Sequence, residues 1–324
     1  MRNEKIDNIK GILIILVVFG HSLELIMGHG WERELYVVIY SFHMPLFIYT
    51  TGYFAKFQMK KVIKNLCFPY VLFQTIYILV MGLIRQQDME LQYVEPYWLL
   101  WYLFATAVWT CLLVLVENRN PWLQLGVLGV SVLVSLFGGY VEEIGREFSL
   151  SRILVYFPFF LLGYEAHEWK AQLAAVKNRI PYLKQMVFST LTVMILISVV
   201  WAPGLKLTWL YEATSYEKSG YGIGFRFLHL CVALVWILAA ELFVSCKPIR
   251  VLNYLGRHTM PIFLLHGFLI KLLDQYVPLT NNVEGATIVL IVTGAVLLIC
   301  GSKEAGKGLN LLLRPTGYLW RTHG

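Results

Sequence analysis

The chain has 324 residues, 58% of them hydrophobic and 15% charged, with 27 lysines and arginines against 20 acidic residues and a formal net charge of +7. Soluble domains carry about 25% charged residues, so this composition, with a mean hydropathy of +0.62, excludes an ordinary soluble enzyme and predicts an integral membrane protein. Loop topology and anionic-lipid contact account for the basic excess, and no nucleic-acid partner is expected.

Long apolar runs predict an all-α, polytopic bundle of about ten transmembrane helices, at 9–27, 36–55, 66–84, 97–116, 122–139, 152–168, 186–202, 226–245, 258–277 and 286–302. The longest non-apolar stretches, roughly 25 residues, are too short to build a core of their own. One integral domain over 1–324 is therefore expected. With the N-terminus inside, the inward segments hold 19 of the 27 basic residues and the outward segments 8. The inward clusters are Lys56, Lys60, Lys61 and Lys64, then Lys170, Lys177, Arg179 and Lys184, then Lys303, Lys307, Arg314 and Arg321. This asymmetry predicts cytoplasmic N- and C-termini.

The first apolar segment, IKGILIILVVFGHSLELIM, carries the strongest signal. Lys10 and His21 are eleven residues apart, which on a helix returns them to within about 20° of one line, with a rise of roughly 16 Å. Asp7 and Glu24 fall within about 60° of that line. A basic start and an apolar middle suggest a signal peptide, but there is no small-residue cleavage site and His21 and Glu24 stand where one belongs. The segment reads as a retained span with a polar seam, and ionisable groups inside a membrane helix mark function. Glu24, one turn beyond His21, is placed to orient it or to stabilise its charge. Ser22 points about 100° away from His21 and offers no nucleophile there.

In the second segment His43 follows the outer start by about seven residues, a depth similar to that of His21 on a rise of about 1.5 Å per residue. At the inner mouth of the third, Lys61 and Lys64 share a helix face; together with Lys10 they are candidates for holding phosphates of an anionic donor. The sixth segment is interrupted by Pro158, with Glu165 and His167 crowding its end. The outward stretch 203–225, PGLKLTWLYEATSYEKSGYGIGF, is rich in aromatics. Trp209, Tyr211, Tyr216 and Tyr221 could stack on a sugar, although an interfacial aromatic belt is the favoured reading. Its GYGIG run follows no strand and does not indicate a dinucleotide site. His229, near the outer start of the eighth segment, reads as an interhelical hydrogen-bonder, whereas His266, mid-way along the ninth, is equally suited to the site. No two histidines have helical metal spacing, so no metal is expected. The cysteines at 67, 111, 231, 246 and 300 are scattered packing residues.

Several stretches in chain order are shared with a known group. RNEKIDNIKGILIILVVFGHS places Lys10 and His21 as a basic residue and a histidine separated by ten residues. SFHMPLFIYTTGYF (41–54), KVIKNLCFPY (61–70), YWLLWYLFA (97–105) and LGRHTMPIFLLHGFL (255–269) complete the set. The chain resembles the acyltransferase-3 family of integral membrane acyltransferases, which includes sugar and cell-envelope O-acetyltransferases. Lysines stand at 10, 61 and 64 where many members carry arginine, giving charge without the bidentate fork. Arg257-His258 replaces the small polar residues usual before the ninth helix, and no SGNH-type domain is expected after the tenth.

The resemblance implies a cytosolic acyl-CoA donor, most often acetyl-CoA, and an extracytoplasmic or membrane-linked carbohydrate or glycolipid acceptor, at a bacterial-type cytoplasmic membrane. Lys10, Lys61 and Lys64 would hold the CoA phosphates. His21, set by Glu24, would act as general base, with His43 orienting the acceptor or donating to the oxyanion. His266, Trp209 and Tyr211 would contact the acceptor. Direct transfer and an acyl-His intermediate both stay open, as does homo-oligomerisation. The competing classes are a transporter or exporter that uses the seam as a pathway, although no repeat is visible, and a membrane sensor or scaffold.

Overall fold

A computed structural model describes residues 3–85, 90–117, 120–166, 169, 175–176, 178–277 and 279–313. His167, Lys170, Lys177, Arg314 and Arg321 lie outside the described residues. Among those described there is helix and no strand: α1 (Glu4–Leu23), α2 (Trp31–Tyr40), α3 (His43–Phe54), α4 (Phe68–Arg85), α5 (Trp101–Leu112), α6 (Pro121–Phe137), α7 (Leu150–Glu165), α8 (Leu183–Trp201), α9 (Ile223–Phe243), α10 (Arg250–Arg257), α11 (Thr259–Tyr276), α12 (Val283–Cys300) and α13 (Lys303–Leu312). Hydrocarbon offers the backbone no partners, so helices that satisfy themselves are what such a sequence must form. Side chains secure several starts: Asn3 caps α1, Asn120 with Pro121 starts α6, Asn282 caps α12 and Ser302 caps α13.

Among the described residues, seven helical stretches are long and apolar enough to cross a membrane: Glu4–Ile26, Met59–Ile84, Trp98–Leu115, Pro121–Tyr140, Leu183–Trp201, Ile223–Phe243 and Val283–Cys300. The chain is thus a multi-pass membrane protein. The other three expected spans correspond to α2 with α3, α7 and α11.

The expected single helix over 36–55 is two. Pro45 has no N–H, and its ring would clash with the carbonyl four residues back, at Ser41. The chain breaks there: Phe42 leaves helical geometry (φ −143°) and α3 starts at His43. Conversely, Pro158 does not interrupt its segment, because α7 runs through it from Leu150 to Glu165. Such prolines are tolerated in spans whose neighbours take up the freed carbonyl. The outward stretch is no interfacial belt either. Tyr216 and Tyr221 are buried, and Trp209 packs on Tyr221 and Phe225.

α1 lies at the centre, packed on α3, α10, α11 and α12. Buried Asn8 fastens it to the loop before α10, donating to the carbonyls of Ser245 (3.0 Å) and Lys247 (2.8 Å) and accepting from the Ile249 N–H (3.1 Å). α3 meets α7 backbone to backbone. A Cβ at Gly163 would sit 2.0 Å from the Tyr49 carbonyl oxygen, and one at Gly52 would sit 2.0 Å from that of Phe160. This is small-residue packing as membranes favour it. α8 buries only Leu183, Val187 and Leu191, against α9, and also meets α2, with most of its other residues exposed.

Candidate active site

His21 is in the last turn of α1, and the chain tightens immediately afterwards into a 3₁₀ turn, Glu24–Ile26. The turn brings Glu24 Oε1 to 2.9 Å from His21 Nδ1. Tyr36 and Tyr40 stand one turn apart on α2, their rings stacked at 3.7 Å, and both hydroxyls donate to the same Oε1, at 3.1 and 3.0 Å. Tyr40 OH also lies 3.1 Å from His21 Nδ1. With the carboxylate accepting from Nδ1–H, the nitrogen left to act as an acceptor is Nε2.

His21, Glu24, His43, Tyr211 and His266 all line one cavity of about 160 Å³, space for roughly ten water-sized sites at about 15 Å³ each. His43 is set by the helix break, its Nδ1 reaching the Ile39 carbonyl at 2.9 Å. His266 follows Pro261 on α11, and its Nδ1 is 2.9 Å from the carbonyls of Ile262 and Phe263. A carbonyl can only accept, so both rings carry their proton on Nδ1 and neither neutral ring has an Nε2–H to give. His266 lies 5.5 Å from His21, ring centre to ring centre, and its Nε2 is buried without a hydrogen-bond partner among the described residues. The ring of Trp98 meets that of His21 edge-on at 4.6 Å, from a backbone in the left-handed region (φ 39°). Gly267 makes room for it, since a Cβ there would fall 3.0 Å from Trp98 Cζ3 and 2.4 Å from the Tyr77 hydroxyl oxygen. Lys271 Nζ lies 4.5 Å over the centre of the Trp98 ring.

The outward stretch closes over this cavity. Glu212, in the left-handed region (φ 49°), is fully buried. It accepts from Arg226 Nε (2.9 Å) and Tyr221 OH, and its Oε1 is 3.0 Å from His229 Nδ1. Burial alone would push the Glu212 carboxyl up. The His229 hydrogen bond and the Arg226 charge outweigh it and hold the group below the ordinary carboxylate range. The adjoining residue, Tyr211, then points its hydroxyl at that of Tyr36, 2.9 Å away. His229 therefore has the hydrogen-bonding place expected of it, with a carboxylate as partner.

The three lysines are not brought together with the histidines. Lys10 is half-buried beside Asp7, and Asp7 itself lies 3.4 Å from Arg257 Nε. Lys61, in the turn Met59–Val62, and Lys64, in the wide turn Ile63–Cys67, are exposed. None of the three lines the histidine cavity. A separate apolar cleft runs beside their segment, walled by Val62, Ile63, Cys67 and Cys111. Trp209 is also outside the histidine cavity, donating Nε1–H to the Ser219 carbonyl at 2.9 Å. Among the further residues that line it are Tyr36, Tyr40 and Arg152. The i, i+4 spacing of the two tyrosines was the available signal for them, and for Arg152 it was a lone cation at the mouth of an apolar run. Among the described residues, no group of three or more His, Cys, Asp or Glu is placed to hold a metal ion.

A many-helix membrane bundle that encloses a carboxylate-held imidazole beside a small cavity defines an integral membrane protein with an enzyme-like centre. Residues 3–302 match the family model Acyl_transf_3, described as an acyltransferase domain, and the chain belongs to that family. It is similar to Nodulation protein NolL of Sinorhizobium fredii (strain NBRC 101917 / NGR234), 28% identical over 189 residues. That alignment covers 50% of this chain and 48% of the relative, so the chain matches about half the length of that protein. It is also similar to Nodulation protein NolL of Mesorhizobium japonicum (strain LMG 29417 / CECT 9101 / MAFF 303099), 21% identical over 366 residues, covering 99% of this chain and 89% of the relative. No solved structure matches.

Proposed function

We propose that this membrane acyltransferase moves an acyl group, acetyl in the simplest case, from cytosolic acyl-CoA to a hydroxyl of an extracytoplasmic or membrane-linked carbohydrate, with His21 as general base. The observation that carries this reading is the 2.9 Å contact between His21 Nδ1 and Glu24, which leaves Nε2 as the basic nitrogen at the cavity. His21 Nε2 takes the proton of the acceptor hydroxyl as the oxygen attacks the thioester carbonyl. The tetrahedral intermediate collapses, the C–S bond breaks, and the CoA thiolate leaves with the proton returned by the imidazolium. Glu24 stabilises that imidazolium and fixes its tautomer. His43, as a lone-pair acceptor, orients the incoming hydroxyl. Lys10, Lys61 and Lys64 hold the CoA phosphates at the inner face, and α1, unbroken from Lys10 to His21, spans the roughly 16 Å between the two ends. The site belongs to a bacterial-type cytoplasmic membrane with both termini inside, which the basic loops support.

Purified protein given labelled acetyl-CoA and a panel of glycans tests this. Thioester cleavage coupled to glycan labelling is expected, falling about 10²- to 10⁴-fold in His21→Ala. Wild-type turnover in that variant overturns the base assignment, and an intact thioester in the presence of glycan transport favours an exporter. Charge reversal at Lys61 or Lys64 should raise the KM for acetyl-CoA; an unchanged KM removes the phosphate role.

A further inference from the structure

Two arginines lie at the outer end of the bundle, and the fold treats them differently. Arg226 is satisfied on every side: Glu212 at 2.9 Å, Tyr221 OH at 2.9 Å, and the carbonyls of Ser135 (3.1 Å) and Thr214 (3.4 Å). Arg152 lines the reaction cavity and makes one hydrogen bond, from Nε to the Tyr211 carbonyl at 3.0 Å, with its guanidinium 4.9 Å from the centre of the Trp101 ring. Neither Nη nitrogen has a hydrogen bond to a described residue. The nearby acids are committed elsewhere, Glu212 to Arg226 and His229, and Glu95 to Arg146 at 3.8 Å. Arg152 also sits in the first turn of α7, where the helix dipole disfavours a cation. An unpaired cation against both the membrane and the dipole calls for an anion from outside the chain.

Resting on the acyl-transfer reading above, we infer that Arg152 recognises the acceptor, its two free Nη groups gripping a carboxylate or phosphate of the sugar, so that the acceptor is an anionic carbohydrate. The planar fork pairs with two oxygens of either group. Tyr211 spans from this anchor to the dyad, since its carbonyl holds Arg152 Nε while its hydroxyl meets Tyr36, which reaches Glu24. A sugar held by its acid at Arg152 would present its hydroxyls along that tyrosine towards His21.

The test uses the full-length protein and three matched acceptors, glucose, glucuronate and glucose 6-phosphate, with Arg152→Gln and Arg152→Lys. Wild type should prefer one or both charged acceptors, and the preferred one identifies carboxylate or phosphate as the group read. Arg152→Gln should raise the KM for that acceptor about 10- to 100-fold, well beyond any change it makes to the KM for glucose. Arg152→Lys, which keeps the charge and loses the fork, should fall between and serves where the glutamine variant does not accumulate. Equal loss of kcat on glucose and on the charged acceptors overturns the proposal in favour of oxyanion stabilisation, and no charge preference in wild type overturns it outright. Thermal stabilisation of wild type and variants by the same three sugars needs no transfer. Anion-selective stabilisation lost in Arg152→Gln, without thioester cleavage, upholds the anchor and sinks the acyl-transfer reading; cleavage without anion selectivity does the reverse.

Discussion

Glu24 receives three donors on one oxygen, which makes it the residue through which Tyr36 acts on His21, while Tyr40 also meets the ring directly. Glu24→Gln keeps the shape and removes the charge that stabilises the imidazolium. The kcat should fall about 10²-fold or more, with the KM for acetyl-CoA unchanged, in steady-state assays of thioester cleavage. Tyr36→Phe removes one of the three donors and should cost only about 2- to 10-fold. His21, Glu24, His43 and His266 could be read from the sequence because ionisable groups stand out in apolar helices. Tyr36, Tyr40 and Arg152 carried only a weak signal, since tyrosine and arginine near span ends usually mark the membrane interface.

The three segments that fail as stand-alone spans, α2 with α3, α7 and α11, carry His43, Arg152 and His266. Each departs from an uninterrupted apolar helix. Pro45 breaks one, α7 is only 16 residues long, and α11 holds His266, Lys271 and Asp274 among its apolar residues. His43, Arg152 and His266 thus stand on the less uniform elements, whereas His21 and Glu24 stand on Glu4–Ile26, itself apolar enough to span. Run length and hydropathy locate such elements but do not show which proline breaks its helix. Pro45 lies in the first turn after the break, and Pro158 lies mid-helix among packed neighbours. The α3–α7 seam predicts a stability effect. Gly163→Ala must push against the Tyr49 carbonyl and should lower stability by about 1–3 kcal/mol in thermal unfolding in detergent. Gly294→Ala, on α12 with nothing within 4 Å of the new Cβ, should leave it unchanged.

The outer closure joins residues far apart in sequence, Ser151 to the Glu212 carbonyl (2.8 Å), Glu212 to Arg226 and Tyr211 to Tyr36, and pairings of that range leave no periodic mark in a sequence. That is why 203–225 read as a surface belt. Glu212→Gln strands the Arg226 charge and should cost roughly 3–5 kcal/mol by thermal unfolding. The pH dependence follows from the depressed Glu212 carboxyl: its contribution is complete above the ordinary value of 4.5 and is lost as pH falls through the lower folded value. Wild type should therefore lose stability in acid by a component that Glu212→Gln lacks. The shared Nδ1–H tautomer of the cavity imidazoles has a wider consequence. In the proposed reaction the resting imidazoles offer lone pairs and no Nε2 proton, so the proton that discharges the thiolate would be one surrendered by the incoming nucleophile. Under the proposed mechanism, discharge of the thiol would wait on the arrival of a nucleophile able to surrender a proton.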